Sequence, residues 1–192
     1  GVVIGGGQTL TVNLAGSPGE SDGQGAKINN LMGATGSSLA VNNTGDGTAV
    51  VILNNKQMTT GEDDIDPAGQ DTVMGGSITG GSNVTFIKEG TGTLTVGGTM
   101  DVETLALREG NIILNGTENS LDTLTLEGGG LTISGNAEIE TITGTEAGGT
   151  LAIQGTLDLT RTSSINNGAI TGTGSLRIRE GAELALGGEA RL

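Results

Sequence analysis

Glu62, Asp63, Asp64, Asp66 and Asp71 gather carboxylates into one short segment of a chain that is otherwise rich in glycine. The order Asp64-x-Asp66-x-x-Gly69-x-Asp71 resembles a calcium loop, because a hard cation takes several carboxylate and carbonyl oxygens as ligands. The full EF-hand spacing and its closing glutamate are missing, as is the Gly-Gly-x-Gly-x-Asp calcium nonapeptide. The segment therefore reads first as a solvated acidic loop, with Asp63, Asp64, Asp66 and Asp71 as the candidate Ca2+ ligands. No other cofactor is implied.

Catalytic chemistry has few residues to draw on. Histidine, cysteine, tryptophan and tyrosine are all absent, so proton transfer would fall to Asp, Glu and Lys. Glycoside hydrolysis needs two carboxylates facing one sugar ring. Elimination from a polysaccharide needs a Lys or Arg base beside Ca2+, and nothing in the spacing sets Lys27, Lys56 or Lys88 beside a carboxylate cluster. Gly5-Gly6-Gly7 is followed by neither a helix signal nor a lysine, which removes the phosphate-loop reading. Zero cysteine excludes disulfide scaffolds and thiolate metal sites. The chain is expected to have no catalytic site, with a carbohydrate-active β-helix enzyme as the lesser alternative.

Two further patterns are regular enough to test. Thr104, Thr123 and Thr141, with Thr125 and Thr143 beside two of them, resemble the threonine arrays of ice-binding solenoids, but the file persists for only three repeats. Threonine also favours outward strand positions for ordinary reasons. Basic–acidic pairs recur before glycine in Lys88-Glu89-Gly90, Arg108-Glu109-Gly110 and Arg179-Glu180-Gly181. Stacked, they would form exposed charge ladders worth about 0–1 kcal/mol per pair.

The elements that carry these residues follow from composition and period. Glycine supplies 38 of 192 residues and Phe86 is the one aromatic. Small apolar residues spread evenly along a chain suit a thin, elongated core better than one thick core. They alternate, as in Leu94-Thr-Val96, Leu124-Thr-Leu126, Leu131-Thr-Ile133 and Leu151-Ala-Ile153, which argues for strands and against disorder. Glycine keeps no period of three, which excludes collagen.

The repeats are internal. Leu94-Thr-Val-Gly-Gly98, Ile112-Ile-Leu-Asn-Gly116, Leu131-Thr-Ile-Ser-Gly135 and Leu151-Ala-Ile-Gln-Gly155 follow one another at nearly even intervals. Leu176-Arg-Ile-Arg-Glu-Gly181 is expected as the next copy, after a somewhat longer gap. A second file, Val102-Glu-Thr-Leu105, Leu121-Asp-Thr-Leu124 and Ile139-Glu-Thr-Ile142, keeps nearly the same period. The predicted fold is all-β: a right-handed parallel β-helix, or β-solenoid, with roughly 18–25 residues per turn, about ten turns and a length on the order of 45 Å. Residues 1–83 form its irregular N-terminal part, with strands at Leu10–Leu14, Leu39–Val41 and Val50–Leu53 and acidic loops between them. Residues 84–192 form the regular repeat region of the same solenoid. A separate N-terminal cap is the alternative for the first part.

Residues 84–114 carry a family resemblance. Lys88, Gly90, Gly92, Leu94 and Val96, followed by Gly110, Ile112 and Leu114, resemble the passenger-associated repeat of bacterial autotransporters, a Lys-x-Gly-x-Gly-x-Leu-x-Leu stretch ahead of a second Gly-x-Leu-x-Leu strand. Gly172–Leu186 looks like a shortened second copy. The resemblance implies a right-handed β-helix displayed outside a bacterial cell. It names no activity, since passengers of this kind include adhesins, enzymes and plain stalks.

Charge narrows the partners. A formal net charge of −14 opposes binding to nucleic acid and to anionic membranes. No run approaches the roughly 18 apolar residues of a membrane span. The start at Gly1 without a leader is expected of a processed product or an excised piece. The expected function is an extracellular, surface-displayed structural or adhesive scaffold, with a host or cell-surface ligand as partner. The alternative is a filament subunit stacking end to end on its own copies. No capping helix is legible, so Leu10, Val12 and Leu14 near the start and Leu184 and Leu186 near the finish are the candidate assembly edges.

Overall fold

A computed structural model describes residues 1–16, 25–55 and 69–188. Strands β1 (Val2–Ile4), β2 (Thr9–Leu14) and β3 (Gly25–Asn29) make the first turn of a coil. The second turn holds β4 (Leu31–Gly33), β5 (Ser38–Asn43) and β6 (Ala49–Asn54), and the third β7 (Thr72–Met74), β8 (Ser77–Gly80) and β9 (Val84–Glu89). Three two-strand turns follow: β10 (Thr93–Val96) with β11 (Met100–Leu107), β12 (Asn111–Leu114) with β13 (Asn119–Leu126), and β14 (Gly130–Ile133) with β15 (Asn136–Gly144). β16 (Gly149–Ile153), β17 (Thr156–Leu159) and β18 (Ser163–Asn166), then β19 (Gly168–Thr171), β20 (Ser175–Ile178) and β21 (Leu184–Gly187), complete the described chain.

Successive turns pair in parallel. One sheet of eight strands runs β1-β4-β7-β10-β12-β14-β16-β19, and the remaining 13 strands form a second sheet that folds around the other two faces. The chain is a parallel β-solenoid. It makes eight described turns rather than about ten, because the early turns are long. Leu10 stacks on Leu39 and Leu39 on Ile78, so each of these turns takes up far more chain than a later one. Later turns are regular, with Leu94, Ile112, Leu131, Leu151 and Ile170 stacked in one file. The expected place of Leu176–Ile178 is corrected by this register. It does not continue that file; Ile170 does, and Leu176 stacks on Leu157 one face further on. The glycines flanking Ala169-Ile170-Thr171 hid a strand with only one large inward residue.

The apolar–acid–Thr–apolar motif encodes a bend. Val102, Leu121 and Ile139 stack inward, as do Leu105, Leu124 and Ile142, while Glu103, Asp122 and Glu140 fall out of the ladder between them. Strict alternation would point one member of each apolar pair outward. Two successive outward residues restore inward packing after the corner, which is how β11, β13 and β15 each serve two faces as one strand.

The opposite corner depends on glycine for space. A Cβ on Gly116 would strike the carbonyl oxygen of Gly98, one on Gly135 that of Gly116, and one on Gly155 that of Gly135. The file of glycines at this corner is therefore required by contact between turns. Inside, the stacks are almost wholly Leu, Ile, Val and Met, most of them fully buried, and burial of each is worth about 1.5–3 kcal/mol. Where a small residue interrupts a stack, a larger one fills in: Phe86 leans over Gly80, and the Met74 sulfur over Gly33.

Candidate functional site

Of the predicted calcium ligands, Asp63, Asp64 and Asp66 lie outside the described residues. Asp71 is exposed, and its Oδ1 accepts a hydrogen bond from the Thr93 backbone N–H at 2.7 Å. That bond ties the strand β7 entry to the next turn, a structural use of the carboxylate. Among the described residues no group of three or more Asp or Glu is arranged to hold a metal ion.

Lys88 lies where the exposed-ladder reading did not put it. Along β9 the inward residues are Val84, Phe86 and Lys88, and Lys88 stacks between Leu53 and Leu107 in an otherwise aliphatic file. It is 0% exposed. Its Nζ donates to the carbonyl oxygens of Glu89 at 2.8 Å, Gly90 at 2.7 Å and Glu109 at 3.4 Å, joining the corners of two successive turns. Burial pulls the ammonium down to about 8, against the raising influence of Glu109, Asp71 and Glu89. The signal was in the sequence: alternation through Val84-x-Phe86-x-Lys88 points the lysine inward. Gly90 and Gly110 at this corner have φ of 74° and 63°, and a Cβ on Gly110 would press on the Lys88 Nζ.

Of the two arginines in the ladder reading, only Arg108 joins an acid of the expected series, Glu89; Arg179 pairs outside it. Arg108 bridges Glu89 and Glu127 on the turns to either side, and Arg179 pairs with Asp158 at 2.8 Å. These pairs are half-exposed and hold register more than they stabilise. Two buried polar side chains do comparable work at other corners. Asn119, on an inward position, accepts from the Met100 N–H and donates to the carbonyls of Gly116 and Asn136. Asn55 donates to the Gln70 carbonyl and the Thr72 hydroxyl.

The threonine file is longer than expected, since Thr85 precedes Thr104, Thr123 and Thr141 in register. Beyond β15 it ends.

Three surfaces remain as candidates for contact. A shallow groove of about 440 Å3 lies over the later turns, lined by Glu118, Glu138, Asp158 and Arg177 among threonines and asparagines. Glu138, Asp158 and Arg177 stand on adjacent strands in direct register, so the groove offers acceptors and one guanidinium at strand spacing. The two end turns form the second surface. Leu10, Val12 and Leu14 are only half-buried, whereas Leu39 and Val41 one turn inward are 0% and 1% exposed. At the other end Leu184 is half-buried and Leu186 38% exposed, and Ile153, Ile170 and Leu176 line an apolar hollow of about 430 Å3. The third is the outer face of the eight-stranded sheet, none of whose strand residues is charged.

Comparison with known proteins finds no matching family, no matching curated protein and no matching solved structure.

Proposed function

We propose that the chain is a structural scaffold: a stiff, acidic β-solenoid stalk of the kind that bacterial autotransporter passengers display at the cell surface, working without catalysis. The observation that carries this reading is the unbroken parallel register through eight turns, in which every buried polar side chain described above is spent on tying one corner to the next. Side chains committed to backbone carbonyls and amides serve rigidity. The acidic skin supports display in water and discourages sideways association of strand edges. A host or cell-surface ligand would meet the irregular early loops.

The second reading is a filament subunit. It is favoured by one observation: among the described residues, the apolar residues Leu10, Val12 and Leu14 of the first turn and Leu184 and Leu186 of the last are only partly buried and lie on strands paired on one side alone. Parallel strands stacked head to tail do not close, so such a contact would propagate.

Electron microscopy at neutral pH, with and without Ca2+, separates the two. Short particles of constant size support the stalk, and long uniform fibres support the filament. Incubation with a panel of acidic and neutral polysaccharides tests the absence of catalysis. Release of reducing ends or unsaturated sugars by the purified chain would overturn the scaffold reading.

A further inference from the structure

Two Asn-Gly pairs stand in the chain, Asn115-Gly116 and Asn167-Gly168. A glycine after asparagine leaves the backbone nitrogen unshielded, because no Cβ blocks its approach to the asparagine Cγ. The fold treats the two pairs differently. Asn167 donates its Nδ2 to the Glu146 carbonyl and its backbone N–H to the Gly187 carbonyl, and Gly168 opens β19 in register with Gly149. Asn115 is exposed, and its side-chain amide has no hydrogen-bond partner among the described residues. Gly98, Gly135, Gly155 and Gly174 hold the same corner as Gly116 in other turns, and each donates its N–H to the preceding turn. The Gly116 N–H has no acceptor among the described residues. The cause is local: the corner after β12 takes up residues 115–118, whereas those after β14 and β16 take up only 134–135 and 154–155. We propose that Asn115-Gly116 is a self-modification site, at which this asparagine becomes aspartate and isoaspartate with water as the only co-reactant.

The Gly116 nitrogen gives its proton to water and attacks the Asn115 Cγ. A new N–Cγ bond closes a five-membered imide, and the side-chain nitrogen leaves as ammonia. Water then opens the ring at either carbonyl, and nothing is oxidised or reduced. Breaking the new bond leaves aspartate in the original backbone. Breaking the old peptide bond instead leaves isoaspartate, whose backbone runs through Cβ and is one methylene longer. Both products add a carboxylate next to the acidic groove that Thr117 and Glu118 help to line. The longer backbone also disturbs the corner. The Gly116 carbonyl accepts from the Asn119 Nδ2 at 2.7 Å and from the Asn136 N–H at 3.0 Å, and a Cβ on Gly116 would strike the Gly98 carbonyl oxygen. With no room inward, the added methylene moves Gly116 outward and loosens its hold on Asn119, which in turn caps the Met100 N–H.

Peptide mapping by mass spectrometry tests this on the purified chain, aged in mildly alkaline buffer either folded or unfolded in guanidinium. The Asn-to-Asp mass change gives the rate at each pair, and isoaspartate-specific methyl transfer identifies the rearranged product. In the unfolded chain both pairs are expected to react at similar rates. In the folded chain Asn115 should keep a rate within about tenfold of its unfolded value, while Asn167 is slowed by about a hundredfold or more, because its reaction waits on local opening of the last turn. Slowing of Asn115 as strong as that of Asn167 would overturn the proposal. Loss of the Asn115 amide without isoaspartate would overturn it too, since direct hydrolysis by water yields aspartate alone.

Discussion

Replacing Lys88 by methionine should change how the stability of this solenoid responds to pH. The side chain is fully buried between Leu53 and Leu107, and burial brings its ammonium from 10.5 down to about 8. That gap corresponds to roughly 3 kcal/mol between the two protonation states. Below pH 8 the lysine is charged in both the folded and the unfolded chain, and its contribution is constant. Between pH 8 and 10.5 the folded chain releases the proton while the unfolded chain keeps it. The unfolded state then binds more protons, so wild-type stability rises with pH. Methionine removes this rise. At neutral pH the variant also strips the Lys88 donor from the carbonyls of Glu89, Gly90 and Glu109; the Glu89 carbonyl keeps the Asn55 N–H, the loss at the other two costs about 1–3 kcal/mol each, and relief from burying a charge offsets roughly 3 kcal/mol. The deficit near pH 7 is therefore small, and it should widen by about 3 kcal/mol by pH 10.5.

Urea unfolding followed by far-UV circular dichroism measures this, since no tryptophan is present to report by fluorescence. There is no tyrosine to add a phenol titration. A wild-type minus Lys88→Met difference that is flat or narrowing from pH 7 to 10.5 would refute the buried-cation account. It would place the ammonium in the hands of Asp71, Glu89 and Glu109 instead.

Three further outcomes follow from the corners. Gly135→Ala should lower stability by about 2–4 kcal/mol, because its Cβ meets backbone of the turn below, whereas Gly181→Ala has open space and should lose only about 1 kcal/mol to its positive φ; thermal melts of the two variants compare them. Asn119→Leu restores an aliphatic side chain to its file but orphans the Met100 N–H and the carbonyls of Gly116 and Asn136, and should cost about 2–4 kcal/mol in urea unfolding. Asp71→Ala should cost about 1 kcal/mol through the lost bond to the Thr93 N–H, equally in EDTA and in millimolar Ca2+. A calcium-dependent difference would instead make Asp71 a ligand.

The strand content, the parallel coil and the stacking of Leu94, Ile112, Leu131 and Leu151 are legible because inward apolar residues repeat at nearly one period, and a solenoid turns sequence period directly into contact between turns. Register is lost where the period is carried by glycine. Gly168-Ala-Ile-Thr171 has one large inward residue and is masked in the sequence by Leu176, which packs one face away. The early turns are recognisable as strands but not as turns. The long and unequal steps from Leu10 to Leu39 and from Leu39 to Ile78 leave no period to follow.

The amino-acid sequence by itself determined a thin aliphatic core, its strands and the acidic skin, since each depends on residue type and on spacing over a short stretch of chain. Only the tertiary structure decided what each outlier in that pattern is for. Lys88 reads as half of an exposed ion pair until alternation and the corner geometry bring three carbonyls around its ammonium. The glycines of one corner read as turns until the next turn is laid on them and leaves no room for a Cβ. The uncharged face exists only when eight strands far apart in the chain lie side by side. Each of these depends on what occupies the turn above or below, about 4.8 Å away in space and a whole turn of the coil away in the chain.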